Sequence, residues 1–138
     1  MLHSPTRINP QARTTLIVGA AFMFVGVLFG AFGAHGLKHL DPSLLNTWET
    51  GARYLLLHAV ALLALGGVIL NTSMPLRWAR RLLITGTVLF SGNCFIYVLS
   101  GVKFFAIIVP IGGTLLLAGW AAMLWELCFY TRKSLDSK

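Results

Sequence analysis

Hydrophobic and polar positions along this chain do not alternate; they separate into blocks. Residues 14–34, 54–76, 82–102 and 104–125 contain no Asp, Glu, Lys or Arg, and the charges collect between and beyond them. Each block runs 21 to 23 residues. A hydrocarbon layer of about 30 Å takes about 20 helical residues to cross. Lipid offers peptide groups no hydrogen bonds, so such a block must pair its own backbone as a helix. The pattern predicts an all-α membrane fold, a four-transmembrane-helix antiparallel bundle with spans of about 14–34, 54–74, 82–102 and 104–126. Together they form a transmembrane domain over 14–128, between cytoplasmic tails 1–13 and 129–138.

The connections refine this. Pro5 and Pro10 mark a loosely ordered tail. The first connection, His35 to about Arg53, is the only long one. In it Asp41-Pro42 reads as a helix start, with Asp as N-cap and Pro at the first helical position. Leu44, Leu45 and Trp48 then give a short interfacial helix an apolar face for the outer membrane surface. Glu49 and Arg53 stand four apart, as a weak exposed pair, and Gly51 bends the chain into span two. Ser73, Pro75 and the basic cluster Arg77/Arg80/Arg81 form the turn into span three.

Span one carries Gly19, Gly26, Gly30 and Gly33 on one face, and Gly26 to Gly30 is a GxxxG step suited to close backbone approach. That face predicts helix packing at Gly26, Gly30 and Gly33, either within the chain or between copies. Gly101-Val102-Lys103 joins spans three and four as a hairpin. Folding about Lys103 sets Ser91, Gly92 and Asn93 opposite Leu115, Thr114 and Gly113, and predicts hydrogen bonds between the helices among Ser91, Asn93 and Thr114. Pro110, with Gly112 and Gly113 behind it, predicts a kink in span four.

Composition agrees: 57% of residues are hydrophobic and 11% charged, against about 25% charged in soluble domains, which excludes a water-soluble fold. The net charge of +7 is scattered over short flanks without a Lys/Arg stripe, so it does not indicate nucleic acid. It is topological. Arg7, Arg13, Arg77, Arg80, Arg81, Arg132, Lys133 and Lys138 fall on one side, and only Lys38, Arg53 and Lys103 on the other. The positive-inside rule then places both termini in the cytoplasm of a cell inner (plasma) membrane. The first apolar run exceeds the 7–15 residues of a signal-peptide core, so it reads as a retained span. Cys94 and Cys128 lie at different depths and read as two separate thiols.

Candidate chemistry gathers at His35, His39, Tyr54 and His58, near Trp48 and Glu49. An imidazole inside a membrane needs a partner and marks a functional candidate. Three functional readings stand against a structural one. A bis-His haem site would pair His58 with His35 or His39. A metal site would need three or four ligands and would draw in Glu49. A quinone or proton-relay site would use imidazole and phenol as donors. Structurally, His58 would bond Tyr54, Thr50 or a carbonyl of span one and tie helices together. No GxSxG, HExxH, P-loop or CxxC is present, Ser91 has no base at its depth, and the four acidic residues offer no catalytic pair. No motif implies a metal or cofactor.

Phe29-Gly30-Ala31-Phe32-Gly33-Ala34-His35-Gly36, Thr50-Gly51-Ala52-Arg53-Tyr54 followed by His58, Leu89-Phe90-Ser91-Gly92, Pro110-Ile111-Gly112-Gly113 and Ala118-Gly119-Trp120 resemble the YgdD-type inner-membrane proteins. That family is classed as domain of unknown function 423, with animal small transmembrane relatives. The resemblance covers about residues 15–128 in order, and His39 and Lys103 fall outside its pattern. It implies a multi-pass protein of the cell membrane and supplies no reaction, substrate or cofactor. The expectation is a non-enzymatic structural or interaction component whose partners are the lipid bilayer and a homo-oligomer or larger membrane complex. The alternatives are a binder of a lipid-soluble ligand (quinone or haem) at the His35/Tyr54/His58 end, or a small oligomeric permease.

Overall fold

The structure, a computed structural model, describes residues 9–72, 74 and 76–135, without the side chains of 131–135. Pro5, Arg7, Ser73, Pro75, Asp136 and Lys138, and the side chains of Arg132 and Lys133, lie outside the described residues. Four helices hold nearly all the rest: α1 Pro10–Gly36, α2 Pro42–Asn71, α3 Arg77–Ser100 and α4 Lys103–Leu135. No strand occurs among the described residues. All four helices are long and apolar enough to cross a membrane. At about 1.5 Å per residue, the shortest, α3 with 24 residues, is about 36 Å long.

Local chemistry sets the helix ends. Asn9 caps α1 by accepting the Gln11 N–H at 2.9 Å, with Pro10 at the first helical position. Asp41 caps α2, accepting the Ser43 N–H at 2.8 Å and its hydroxyl at 2.6 Å. α3 has no capping side chain of its own. Its N-terminus borrows one: the Glu126 carboxylate of α4 accepts the N–H groups of Trp78 at 3.2 Å and Ala79 at 3.4 Å. A carboxylate there also meets the positive end of the helix dipole. At its other end α3 stops at Gly101, whose φ of 70° is easy only for glycine and whose N–H bonds the Tyr97 carbonyl at 2.8 Å.

The separate interfacial helix expected in the first connection is not there. The connection is only Leu37 to Asp41, and α2 runs unbroken through Gly51. Gly51 serves packing: a Cβ there would stand 2.9 Å from Cys94 Cβ and 3.0 Å from the Phe95 ring. Trp48 does not present an exposed face either. It is 1% exposed, donates its indole N–H to the Phe29 carbonyl at 2.7 Å, and stacks among Phe29, Phe32 and Phe95. The buried indole N–H thus has the acceptor that a buried Trp needs.

α1 packs on α2, α2 on α3 and α3 on α4, so the middle pair carries most of the buried surface. The α1 seam is Ala12, Gly19, Gly26 and Gly33, one residue every seven. A Cβ at Gly19 would come within 3.0 Å of Leu63, at Gly26 within 2.7 Å of Leu56, and at Gly33 within 2.6 Å of Trp48. Seven is the period of a coiled-coil-like seam, so Gly30 falls off it and faces open space. The expected GxxxG step is therefore not a contact within this chain. α4 repeats the device. A Cβ at Gly119 would lie 2.9 Å from Leu83, and one at Gly112 would lie 2.8 Å from Phe90 Cα and closer still to its amide nitrogen.

Those contacts also correct the hairpin register. Leu83 meets Gly119, Gly86 meets Leu116 and Phe90 meets Gly112, so Ser91 stands near Ile111 instead of Leu115. The chain turns at Gly101, not Lys103, because of these two Gly101 takes a positive φ. The predicted hydrogen bonds between α3 and α4 accordingly do not form. Asn93 donates to the Leu89 carbonyl at 2.6 Å and Thr114 to the Pro110 carbonyl at 2.9 Å, each within its own helix. Ser91 has no partner, Gly92 faces open space, and Gly113 makes only ordinary contact with Phe90 at 3.7 Å. α4 continues through Pro110 as one helix. Cys94 is buried, Cys128 is exposed, and both are free thiols.

Candidate functional site

Helix α2 presents Tyr54 and His58 one turn apart, and the structure closes His58 from both sides. Its Nδ1 lies 2.8 Å from the Tyr54 carbonyl, and the Trp120 indole N–H of α4 points at its Nε2 from 3.3 Å. A carbonyl only accepts and an indole N–H only donates. The ring must therefore carry its proton on Nδ1 and accept at Nε2, which makes it a neutral imidazole of fixed tautomer. His58 has 5% of its surface exposed and makes no other side-chain hydrogen bond among the described residues.

Aromatic rings frame the pair. Tyr54 stacks on His58 at 5.9 Å and on Phe90 of α3 at 4.3 Å, while Trp120 lies 6.1 Å from His58. Together with Gly113, Leu116 and Leu117 they line a pocket of about 350 Å³ between α2 and α4. Its chemistry is that of a clamp. The imidazole joins α2 to α4 through Nε2, while Nδ1 is held by the Tyr54 carbonyl of its own helix.

The other predicted ligands are elsewhere. His35 is exposed in the last turn of α1, and His39 is exposed in the connection. The Gly33–Trp48 contact puts His35 beside α2 roughly eleven residues before His58, about 16 Å away along the helix. The bis-His and His35/Tyr54/His58 arrangements are thus not assembled, because the seam register separates their members. Glu49 and Thr50 do not bond His58 either, and no group of three or more His, Cys, Asp or Glu side chains fit to hold a metal ion occurs among the described residues. Sequence reasoning missed Trp120 as the partner. The signal was available: a Trp deep inside a span, away from the interfacial belt, needs an acceptor for its N–H. At the membrane edge, Asp41 has its carboxyl held below the ordinary range, first by the Ser43 hydroxyl and then by the Ser43 N–H.

The sequence pattern of a family described as "Protein of unknown function (DUF423)" matches residues 29–113. The chain belongs to the DUF423 family. DUF423 relatives in bacteria carry membrane-protein names. The chain is 38% identical over 115 residues to the UPF0382 inner membrane protein YgdD of Escherichia coli K12, covering 82% of this chain and 88% of that one. It is 38% identical over 110 residues to a UPF0382 membrane protein of Staphylococcus aureus strain bovine RF122, covering 79% and 90%. A Staphylococcus saprophyticus relative is 40% identical over 106 residues, covering 76% and 88%. No solved structure matches the chain. The match takes in Tyr54 and His58 and ends before Trp120.

Proposed function

We propose that this DUF423 chain is a non-enzymatic inner-membrane component: four antiparallel spans, both ends in the cytoplasm, acting by packing with itself or with a larger membrane complex. The observation that carries the reading is the engagement of both His58 nitrogens. The most chemically suggestive residue of the chain has one nitrogen committed to its own helix and the other to α4. An iron or other metal would have to displace Trp120 to reach the Nε2 lone pair. Among the described residues no second imidazole lies beside it, His35 being about 16 Å away along the helix and His39 in the connection.

The order of helix contacts supports the antiparallel arrangement, since positions on α2 and α4 step backwards as those on α1 and α3 advance. Eight Lys and Arg against three support the orientation. With 30 residues, α2 spans about 45 Å, so its first turns from Pro42 would project into the outer headgroup layer. The faces left for partners are those of α1 and α4, where Phe24 and Leu117 are more than two-thirds exposed. Crosslinking in native membranes followed by size analysis in mild detergent tests the reading. A defined oligomer or co-purifying membrane complex is expected; a lone monomer with no partner would overturn it.

A further inference from the structure

Two lateral grooves among the described residues differ in one respect: only one of them satisfies its own polar groups. The α2/α4 groove is bridged by the Trp120–His58 bond. The other lies between α1 and α3 over α2, lined by Phe22 and Phe29, Leu55, and Ser91, Gly92 and Phe95, with a volume of about 260 Å³. Ser91, central in its α3 wall, is 1% exposed and its hydroxyl has no partner. That is unusual for this chain. Thr87, one turn earlier on the same wall, donates to the Leu83 carbonyl at 2.6 Å, and Thr15, Thr47, Thr72, Thr85 and Thr114 bond their own helices in the same way.

We infer that the α1/α3 groove binds a lipid-soluble ring compound that presents a carbonyl oxygen to Ser91, the chemistry of a quinone headgroup. An acyl tail would fill the volume but leave the hydroxyl unpaired, and no water is available at that depth. A dry cavity of about 150 Å³ already admits benzene, so this one has room for a substituted ring. Phe22, Phe29 and Phe95 supply aromatic walls for its faces. The enclosed hydroxyl reaches such a ligand by turning about χ1, its only side-chain torsion. An ester carbonyl of a phospholipid offers the same acceptor. Ser91 lies fourteen residues into α3 from Arg77 and nine from Ser100, well below the ester layer from either end, which favours the ring.

The test is calorimetric titration of the full chain in nanodiscs with menadione and with 2-methylnaphthalene, empty discs serving as blank. Menadione is expected to bind one per chain. Ser91→Ala should weaken menadione roughly five- to tenfold and leave 2-methylnaphthalene unchanged, because only the carbonyl meets the hydroxyl. Gly92→Leu should abolish both; a Cβ there meets nothing within 4 Å, so the chain folds while the side chain fills the groove. Helix content equal to wild type confirms that both variants are folded. Equal affinity in dialkyl-ether and diacyl-ester discs supports the ring ligand. Weaker menadione binding in ester discs assigns the groove to lipid carbonyls and overturns it. Binding only after a dimer is dissociated assigns the groove to a second copy, and also overturns it. So does menadione binding that is absent or indifferent to Ser91→Ala.

Discussion

Trp120→Phe keeps a flat ring in the α2/α4 pocket and deletes one function, the N–H that reaches His58 Nε2 across 3.3 Å. The orphaned nitrogen belongs to a side chain 5% exposed, with no water to replace the donor. An unsatisfied buried acceptor costs about 1–3 kcal/mol in soluble proteins. Bonds between helices in membranes average only about 0.6 kcal/mol and reach about 1.7, because the unfolded chain in lipid also finds partners. At 3.3 Å this bond is longer than the usual 2.7–3.2 Å range, so we expect the lower half of that span, about 0.5–1 kcal/mol. The term is isolated by a double-mutant cycle of Trp120→Phe with His58→Phe, read by unfolding in mixed micelles. A coupling within about 0.3 kcal/mol of zero would refute the clamp. Nitrogen NMR of His58 gives an independent readout: the proton belongs on Nδ1, and finding it on Nε2 would contradict the hydrogen-bond pattern.

Gly112→Ala should separate α3 from α4, since the new methyl meets Phe90 backbone that cannot rotate away; a loss of about 1–3 kcal/mol is expected in the same unfolding assay. Gly30→Ala, facing open space, should instead be neutral or stabilise by up to about 1 kcal/mol through helix propensity. Equal effects at the two sites would contradict the difference between a glycine packed on backbone and one facing open space. Glu126→Gln should weaken the start of α3 by about 0.3–1 kcal/mol, seen as faster amide exchange at Trp78 and Ala79. The Asp41 carboxyl sits below its ordinary value of 3.8, so its contribution to the α2 start is complete above that value and disappears as pH falls through the lowered one. The Ser43 amide resonance should therefore hold steady at neutral pH and move only in acid, whereas movement near neutrality would exclude the cap.

The four membrane-length helices and a helix start at Asp41-Pro42 were legible in the sequence, because block length and cap chemistry are local signals, but that start belongs to α2 and not to a separate interfacial helix. Register was not. Whether the hairpin pivots at Gly101 or Lys103 depends on one positive φ, and that choice decided whether Ser91, Asn93 and Thr114 could meet. The glycines of α1 were visible, but period seven and period four share Gly26, and only the packed partner α2 selects Gly19 and Gly33 over Gly30. Gly51 read as a bend because its neighbours Cys94 and Phe95 arrive from a distant helix. His58 stood out correctly as needing a partner. Its partner, 62 residues away on α4, depends on tertiary placement, of which the sequence carried only the sign that a Trp inside a span needs an acceptor.

The account rests on the four helices crossing a bilayer with both ends on its inner face. Thiol labelling tests that most directly. In a Cys128→Ser background, an impermeant maleimide added to intact cells should label Lys38→Cys and Lys103→Cys, and should reach Asn71→Cys only after the membrane is opened. Labelling of all three from outside, or of Asn71→Cys alone, would contradict the account.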